Sequence, residues 1–225
     1  MCWGDIVDFL ALAVLAASIA FALGYFRWLE RPASLYRAVF KTLPVLLLAG
    51  YAALSGAPPL LTVALLLGAI GDAFLAYDGK PAFIRGLAAF LLAHLAYVGL
   101  FWPALEPELI VTEAWRYAAA WTLVIASSMM LFVLWKPAGT LAPPVAAYAL
   151  AIIAMALSAL AVGGIPLFAG AALFTVSDLA LAIQTFLAGP KSPAARKLRP
   201  FIWGSYYAAQ LILTLSIAGL PFLAS

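Results

Sequence analysis

The sequence predicts an all-α polytopic membrane protein: a bundle of eight transmembrane helices with both termini on the non-cytoplasmic side. Three observations predict it. First, 67% of the 225 residues are hydrophobic and only 9% are charged, whereas a soluble domain carries about 25% charged residues. Second, eight apolar runs come near the roughly 20 residues that a helix needs to cross a bilayer. They cover about 5–26, 36–54, 60–77, 82–103, 115–134, 143–162, 165–188 and 201–223. Third, 11 of the 12 Lys and Arg residues fall on alternate connections, the bias that marks cytoplasmic loops.

The first run opens "MCWGDIVDFL", with Asp5 and Asp8 and no Lys or Arg. It lacks the positive region of a cleaved signal peptide, so it reads as a retained helix. Cys2 is the only cysteine, which excludes an internal disulfide and a cysteine-based metal site. The breaks between runs, among them "RWLERPAS", "SGAPP", "DGKP", "PALEPELIVTE", "KPAGTLAPP", "GGIP" and "GPKSPAARKLRP", are rich in turn and breaker residues. Short connections leave no room for a soluble domain, so residues 1–225 form one membrane domain.

The first, third, fifth and seventh connections with their flanks hold Arg27, Arg31, Arg37, Lys41, Lys80, Arg85, Lys136, Lys191, Arg196, Lys197 and Arg199. The opposite face has Arg116 alone, with Glu106, Glu108 and Glu113. The basic connections therefore belong in the cytoplasm. The expected location is the plasma membrane, the inner membrane if the source is a bacterium. Trp3, Trp28, Trp102, Trp115 and Trp203 lie at span ends and read as interface anchors, as does Tyr207. The net charge of +3 follows from this loop bias and is no nucleic-acid signal.

Three ionisable residues lie within spans: Asp72, His94 and Asp178. An aspartate at a helix centre costs about 2.5–3.5 kcal/mol on insertion scales, so each needs a reason. Spans 3 and 7 both run from outside to inside. Asp72 lies 12 residues in (72 − 60) and Asp178 lies 13 (178 − 165), which predicts a shared depth. Small residues precede both, Gly68, Ala69 and Gly71 on span 3, and Gly170, Ala171, Ala172 and Ser177 on span 7. Such residues let helices approach closely, so both carboxylates are expected to face the bundle. Lys41 and Thr42, with Tyr36, open span 2. His94 and Tyr97 share a face of span 4 at i, i+3, and Tyr206 and Gln210 share one of span 8 at i, i+4. These residues could line a polar chamber with the aspartates.

The residues exclude several chemistries. One histidine and one cysteine cannot supply a zinc site. No Ser-His-Asp arrangement has workable spacing: Ser177 adjoins Asp178, and helix neighbours point apart. Neither "GAIGD" nor "GGIP" is a phosphate loop. Two carboxyl groups that share a site can hold one proton between them, an acid and a base in one chamber. That suits cleavage through a cationic intermediate.

The segments "GDAFLA" on span 3, "FLLAHLAYVGLF" on span 4, "GAALFTVSDLALA" on span 7 and "YYAAQLIL" on span 8 resemble the YhhN family of lysoplasmalogenase-like integral membrane proteins. The resemblance covers nearly the whole chain. It departs at span 2, where the family has a Lys-Pro pair; here Thr42 follows Lys41 and the proline is Pro44. It implies hydrolysis of the vinyl-ether bond of a lysoplasmalogen, giving a fatty aldehyde and glycerophosphocholine or glycerophosphoethanolamine. Asp72 and Asp178 would be the catalytic pair, with no metal or organic cofactor. The substrate partner would be a lysophospholipid taken from the bilayer, with Lys41, His94, Tyr97, Ser177, Tyr206 and Gln210 lining its site. By depth, Lys41 would meet the phosphate, and Tyr206 or Tyr207 an ammonium head group through cation–π contact.

Two other classes compete on the residues alone. Paired intramembrane carboxylates also serve proton relays, so a proton-coupled transporter fits. It would need interrupted helices matched across inverted halves, and the spans lack them. A lipid-binding protein without turnover also fits, and it would tolerate Asp→Asn at both sites. The sequence fixes neither the oligomeric state nor which aspartate is the acid.

Overall fold

The computed structural model describes residues 3–189 and 192–219, with the backbone alone at Trp3. Cys2, Lys191, the Trp3 side chain and the last residues of the eighth run lie outside the described residues. The chain is helical, with α1 (Trp3–Tyr25), α2 (Leu35–Leu54), α3 (Pro59–Leu75), α4 (Lys80–Phe101), α5 (Glu108–Thr112), α6 (Ala114–Ala138), α7 (Ala142–Val162), α8 (Ile165–Ile183) and α9 (Pro193–Ala218). Eight of these nine have 17 residues or more and follow the predicted runs in order.

Among the described residues six helical stretches are long and apolar enough to cross a membrane: Gly4–Tyr25, Leu35–Leu54, Lys80–Ala104, Ala114–Val162, Ile165–Ala188 and Pro193–Ala218. The 49-residue stretch holds both α6 and α7, separated at Gly139, whose φ of 54° suits a residue without a Cβ. α3 has 17 residues and at 1.5 Å per residue is about 25 Å long. Large apolar side chains point outward, with Phe9 65%, Phe132 85% and Leu150 66% exposed. Ser18, Asp72, His94, Arg116, Thr175, Ser177 and Gln210 are buried. Apolar side chains outside and polar groups inside are the arrangement a lipid solvent selects. The chain is an integral membrane protein.

The helices depart most from the sequence reading at α9, at the end of α6 and in the connection before it. α9 begins at Pro193 rather than near 201. Ser192 caps it, its Oγ accepting from the Ala195 N–H at 3.0 Å, and Pro193 stands at the first helical position, where a missing N–H costs nothing. Pro200, read as a break, lies inside the helix. Pro137 similarly lies inside α6. The connection "PALEPELIVTE" contains the single turn of α5. Prolines disfavour helix interiors without forbidding them, so proline-rich text overstated the loops.

The helices form two compact units. One runs through Leu100 and takes back the chain from Leu213; the other is Phe101–Ile212. In the first unit α2 packs between α1 and α3. Ser18 of α1 donates to the Pro44 carbonyl of α2 at 2.7 Å. α3 and α4 approach through glycines: a Cβ at Gly71 would lie 2.6 Å from the Phe90 ring, and one at Gly86 2.7 Å from Leu75. Gly71, the small residue read just before Asp72, thus serves close packing.

In the second unit α6, α7 and α8 pack in sequence. Arg116, the lone basic residue of its face, is buried at 7% exposure. Its Nη1 donates to the carbonyls of Leu160 and Gly163, the latter at 2.9 Å, and its Nε to Glu113 at 2.9 Å. It therefore closes the C-terminal end of α7, where carbonyls lack partners and the helix dipole favours a cation. Arg116→Met is expected to lower stability by about 3 kcal/mol, two charge-assisted hydrogen bonds at roughly 1.5 kcal/mol each, read by thermal unfolding in detergent. The Arg116 hydrogen bond also holds the Glu113 carboxyl below the ordinary glutamate range. A lowered folded-state pKa means this contribution is present above that range and lost as acid protonates the group.

Candidate functional site

In the first unit, α2 carries Lys41 and α3 carries Asp72. Asp72 is 1% exposed, and its Oδ1 lies 3.6 Å from Lys41 Nζ, an ion pair with side chains 2% and 15% exposed. An uncompensated carboxylate could not be held at such burial, so the ammonium is a condition of Asp72 being there. The pair was legible. Lys41 lies five residues inside the cytoplasmic end of span 2 (41 − 36), and Asp72 five inside that of span 3 (77 − 72). Antiparallel neighbours with equal offsets meet. The sequence reading gave Lys41 to a substrate phosphate; the structure pairs it with Asp72.

His94 and Tyr97 are both fully buried on α4. His94 Nδ1 lies 2.6 Å from the Phe90 carbonyl one turn earlier; a carbonyl only accepts, so Nδ1 is the donor. The Phe90 ring is the one that packs against Gly71, the residue before Asp72. Tyr36, expected beside Lys41, is 70% exposed and points away from the protein.

In the second unit, α8 carries Asp178, which is half-buried. Its Oδ2 accepts a hydrogen bond of 2.5 Å from the Tyr148 hydroxyl on α7. The sequence reading missed Tyr148. Its signal was a tyrosine well inside an apolar run, "APPVAAYALAII", where no interface anchor is needed. Ser177, adjacent to Asp178, donates instead to the Ile202 carbonyl of α9 at 3.0 Å, tying α8 to α9.

On α9, Tyr206 stands edge-on to Phe174 of α8 with centroids 5.3 Å apart, and Gln210 Nε2 lies 3.4 Å from its hydroxyl. The i, i+4 pair expected from sequence is therefore formed. Trp203 and Tyr207 are 3% and 8% exposed, with their rings stacked at 6.1 Å. This corrects their reading as interface anchors: they pack inward, while Trp102 is 70% exposed. Beyond Ile183, Gln184–Ala188 forms one turn of π-helix, and Gln184 Nε2 donates to the Ala195 carbonyl at 2.9 Å. Among the described residues no cluster of three His, Cys, Asp or Glu could hold a metal ion.

Fold and site together define a polytopic helical membrane protein that keeps two aspartates in its apolar helices, one in an ion pair and one on a tyrosine hydroxyl. The pattern of the YhhN family matches residues 36–217, and the chain belongs to that family. It is 38% identical to human lysoplasmalogenase TMEM86B over 223 residues, 96% of this chain and 89% of the relative. It is 36% identical to mouse lysoplasmalogenase TMEM86B over 92% of this chain and 85% of the relative. It is also 36% identical to a lysoplasmalogenase of Mycobacterium bovis, over 68% of this chain and 58% of the relative. No solved structure matches the chain.

Proposed function

We propose that this protein is a lysoplasmalogenase: a membrane hydrolase that cleaves the vinyl-ether bond of a single-chain plasmalogen into a fatty aldehyde and a glycerophospho-alcohol. The observation that carries the reading is the Tyr148–Asp178 hydrogen bond, a carboxyl oriented inside a membrane span of a chain whose relatives bear that name. The protein spans the plasma membrane eight times, with both termini outside.

Asp178 and Asp72 share the reaction. A vinyl ether is hydrolysed by protonation of the vinyl carbon distal to oxygen, and Asp178 supplies that proton from Oδ1 while Tyr148 fixes Oδ2. The resulting oxocarbenium ion is stabilised by the carboxylate of Asp72, which Lys41 holds in place. Water adds to the cationic carbon and gives up a proton, which restores the acid. The hemiacetal then collapses to aldehyde and alcohol. One water is consumed, and neither redox chemistry nor a cofactor is required. His94 and Tyr97 in the first unit, and Ser177, Tyr206 and Gln210 in the second, are the further residues assigned to substrate binding. General acid–base catalysis of this kind contributes roughly 10²–10⁴-fold.

The test is turnover in D₂O by the purified, detergent-solubilised protein. A vinyl-ether lysophospholipid is expected to yield aldehyde with one deuterium on the carbon next to the carbonyl. The saturated alkyl-ether analogue should yield none. Absence of aldehyde, or aldehyde without that deuterium, would overturn the reading.

A further inference from the structure

Arg37 lies one helical turn before Lys41 on α2, so the two cations stand side by side at i, i+4. Like charges at that spacing repel. Asp72 answers Lys41, and nothing answers Arg37. The half-buried Arg37 side chain has its Nε buried with no hydrogen-bond partner, and among the described residues no carboxylate pairs with it. Its backbone is fixed, because its N–H donates to the Ser34 cap at 3.2 Å. Arg37, Lys41 and Asp72 together leave one positive charge in excess. A buried guanidinium nitrogen without an acceptor calls for an explanation; a planar fork of donors fits a phosphate or a carboxylate bidentately, and the phosphate is the anion that a lysophospholipid carries.

We propose that Arg37 seats the phosphate of the lipid substrate, with Lys41 contributing the N–H donors that Asp72 does not engage. A lysophospholipid phosphodiester carries one negative charge, which matches the one in excess. The assignment deepens the lysoplasmalogenase reading and rests on it for the identity of the lipid. The Thr42 hydroxyl is also buried without a partner, but it lies about 140° around the helix from Arg37 at 100° per residue and is not part of the seat.

The test is equilibrium binding to the full-length, detergent-solubilised protein. The probes are a saturated ester lysophosphatidylcholine, which has no vinyl ether to cleave, a monoacylglycerol of the same chain length, and inorganic phosphate. Arg37→Met is expected to weaken lysophosphatidylcholine binding roughly tenfold or more, the worth of a charge-assisted pair. Monoacylglycerol binding should be unchanged, which also reports that the variant is folded. Arg37→Lys should bind between wild type and Arg37→Met, since it keeps the charge and loses the fork. Millimolar inorganic phosphate should compete with the lysophospholipid in wild type only. The proposal is overturned if Arg37→Met binds lysophosphatidylcholine like wild type, or if it weakens both amphiphiles equally. It is also overturned if wild type binds inorganic phosphate but shows no preference for lysophosphatidylcholine over monoacylglycerol, which would make this a site for the free anion. Wild type that shows the phosphate preference yet releases no aldehyde from lysoplasmalogen would sink the reaction and support the seat.

Discussion

Asp178→Asn is expected to lower kcat for aldehyde release by roughly 10³-fold or more with little change in KM, the loss that follows removal of a general acid. Asparagine keeps the size of the side chain, and its amide oxygen still accepts from Tyr148 across the 2.5 Å contact. It has no acidic proton to give to the vinyl carbon. The fold should persist for the same reason, with a melting temperature close to wild type. Tyr148→Phe separates orientation from acidity. It retains the ring and removes only the hydroxyl. The carboxyl can then rotate away from its productive angle, so kcat should fall roughly tenfold, the upper end of the worth of one neutral hydrogen bond. KM should hold, and the pH dependence of kcat should change shape, which a purely structural tyrosine would not cause. Full activity in Asp178→Asn would remove Asp178 from the chemistry and leave Tyr148 nothing to position.

The fold was readable because a bilayer imposes a length on each helix and a sign on each loop. The order of the long helices follows from counting apolar runs, and their boundaries go wrong where proline was taken as a stop. Pro200 sits inside α9 and Pro137 inside α6, since neighbouring turns can absorb one missing N–H. The carboxylates stood out for an energetic reason: an aspartate among leucines and alanines is costly wherever it points. Their partners did not stand out equally. Lys41 could be matched to Asp72 by equal offset from the cytoplasmic ends, because a lysine near a span end has a depth. Tyr148 has no such mark, since tyrosine is tolerated at many depths, and its contact with Asp178 is what draws attention to it. Arg116 looked like an exception to the charge bias and is instead a cap on α7, a role set by where a helix three-dimensionally ends. Trp203 and Tyr207 looked like anchors because they begin a run, and they turn inward because α9 starts eight residues earlier (201 − 193).

The second large effect concerns the ion pair. Lys41→Met leaves the Asp72 carboxylate, 1% exposed, without the ammonium 3.6 Å away. Breaking a buried pair from one side costs about 3–5 kcal/mol, because the remaining charge is stranded. Lys41→Met should therefore be markedly less stable than wild type in detergent unfolding, as well as inactive. Asp72→Asn strands the ammonium instead, and less severely. Lys41 is 15% exposed and near a span end, where a long side chain can reach polar surroundings. The double variant Lys41→Met/Asp72→Asn removes both charges, and replacing a buried pair outright is often neutral. Its stability should recover most of what Lys41→Met loses, a coupling of about 2 kcal/mol or more in a double-mutant cycle. Its activity should stay at the level of Asp72→Asn, because the carboxylate that meets the oxocarbenium charge is gone in both. A stable but inactive double variant separates the two tasks of the pair: Lys41 makes burial of the charge possible, and Asp72 spends that charge on the cation. Recovery of activity together with stability would show the pair to be structural, and the catalytic role would then fall to Asp178 alone.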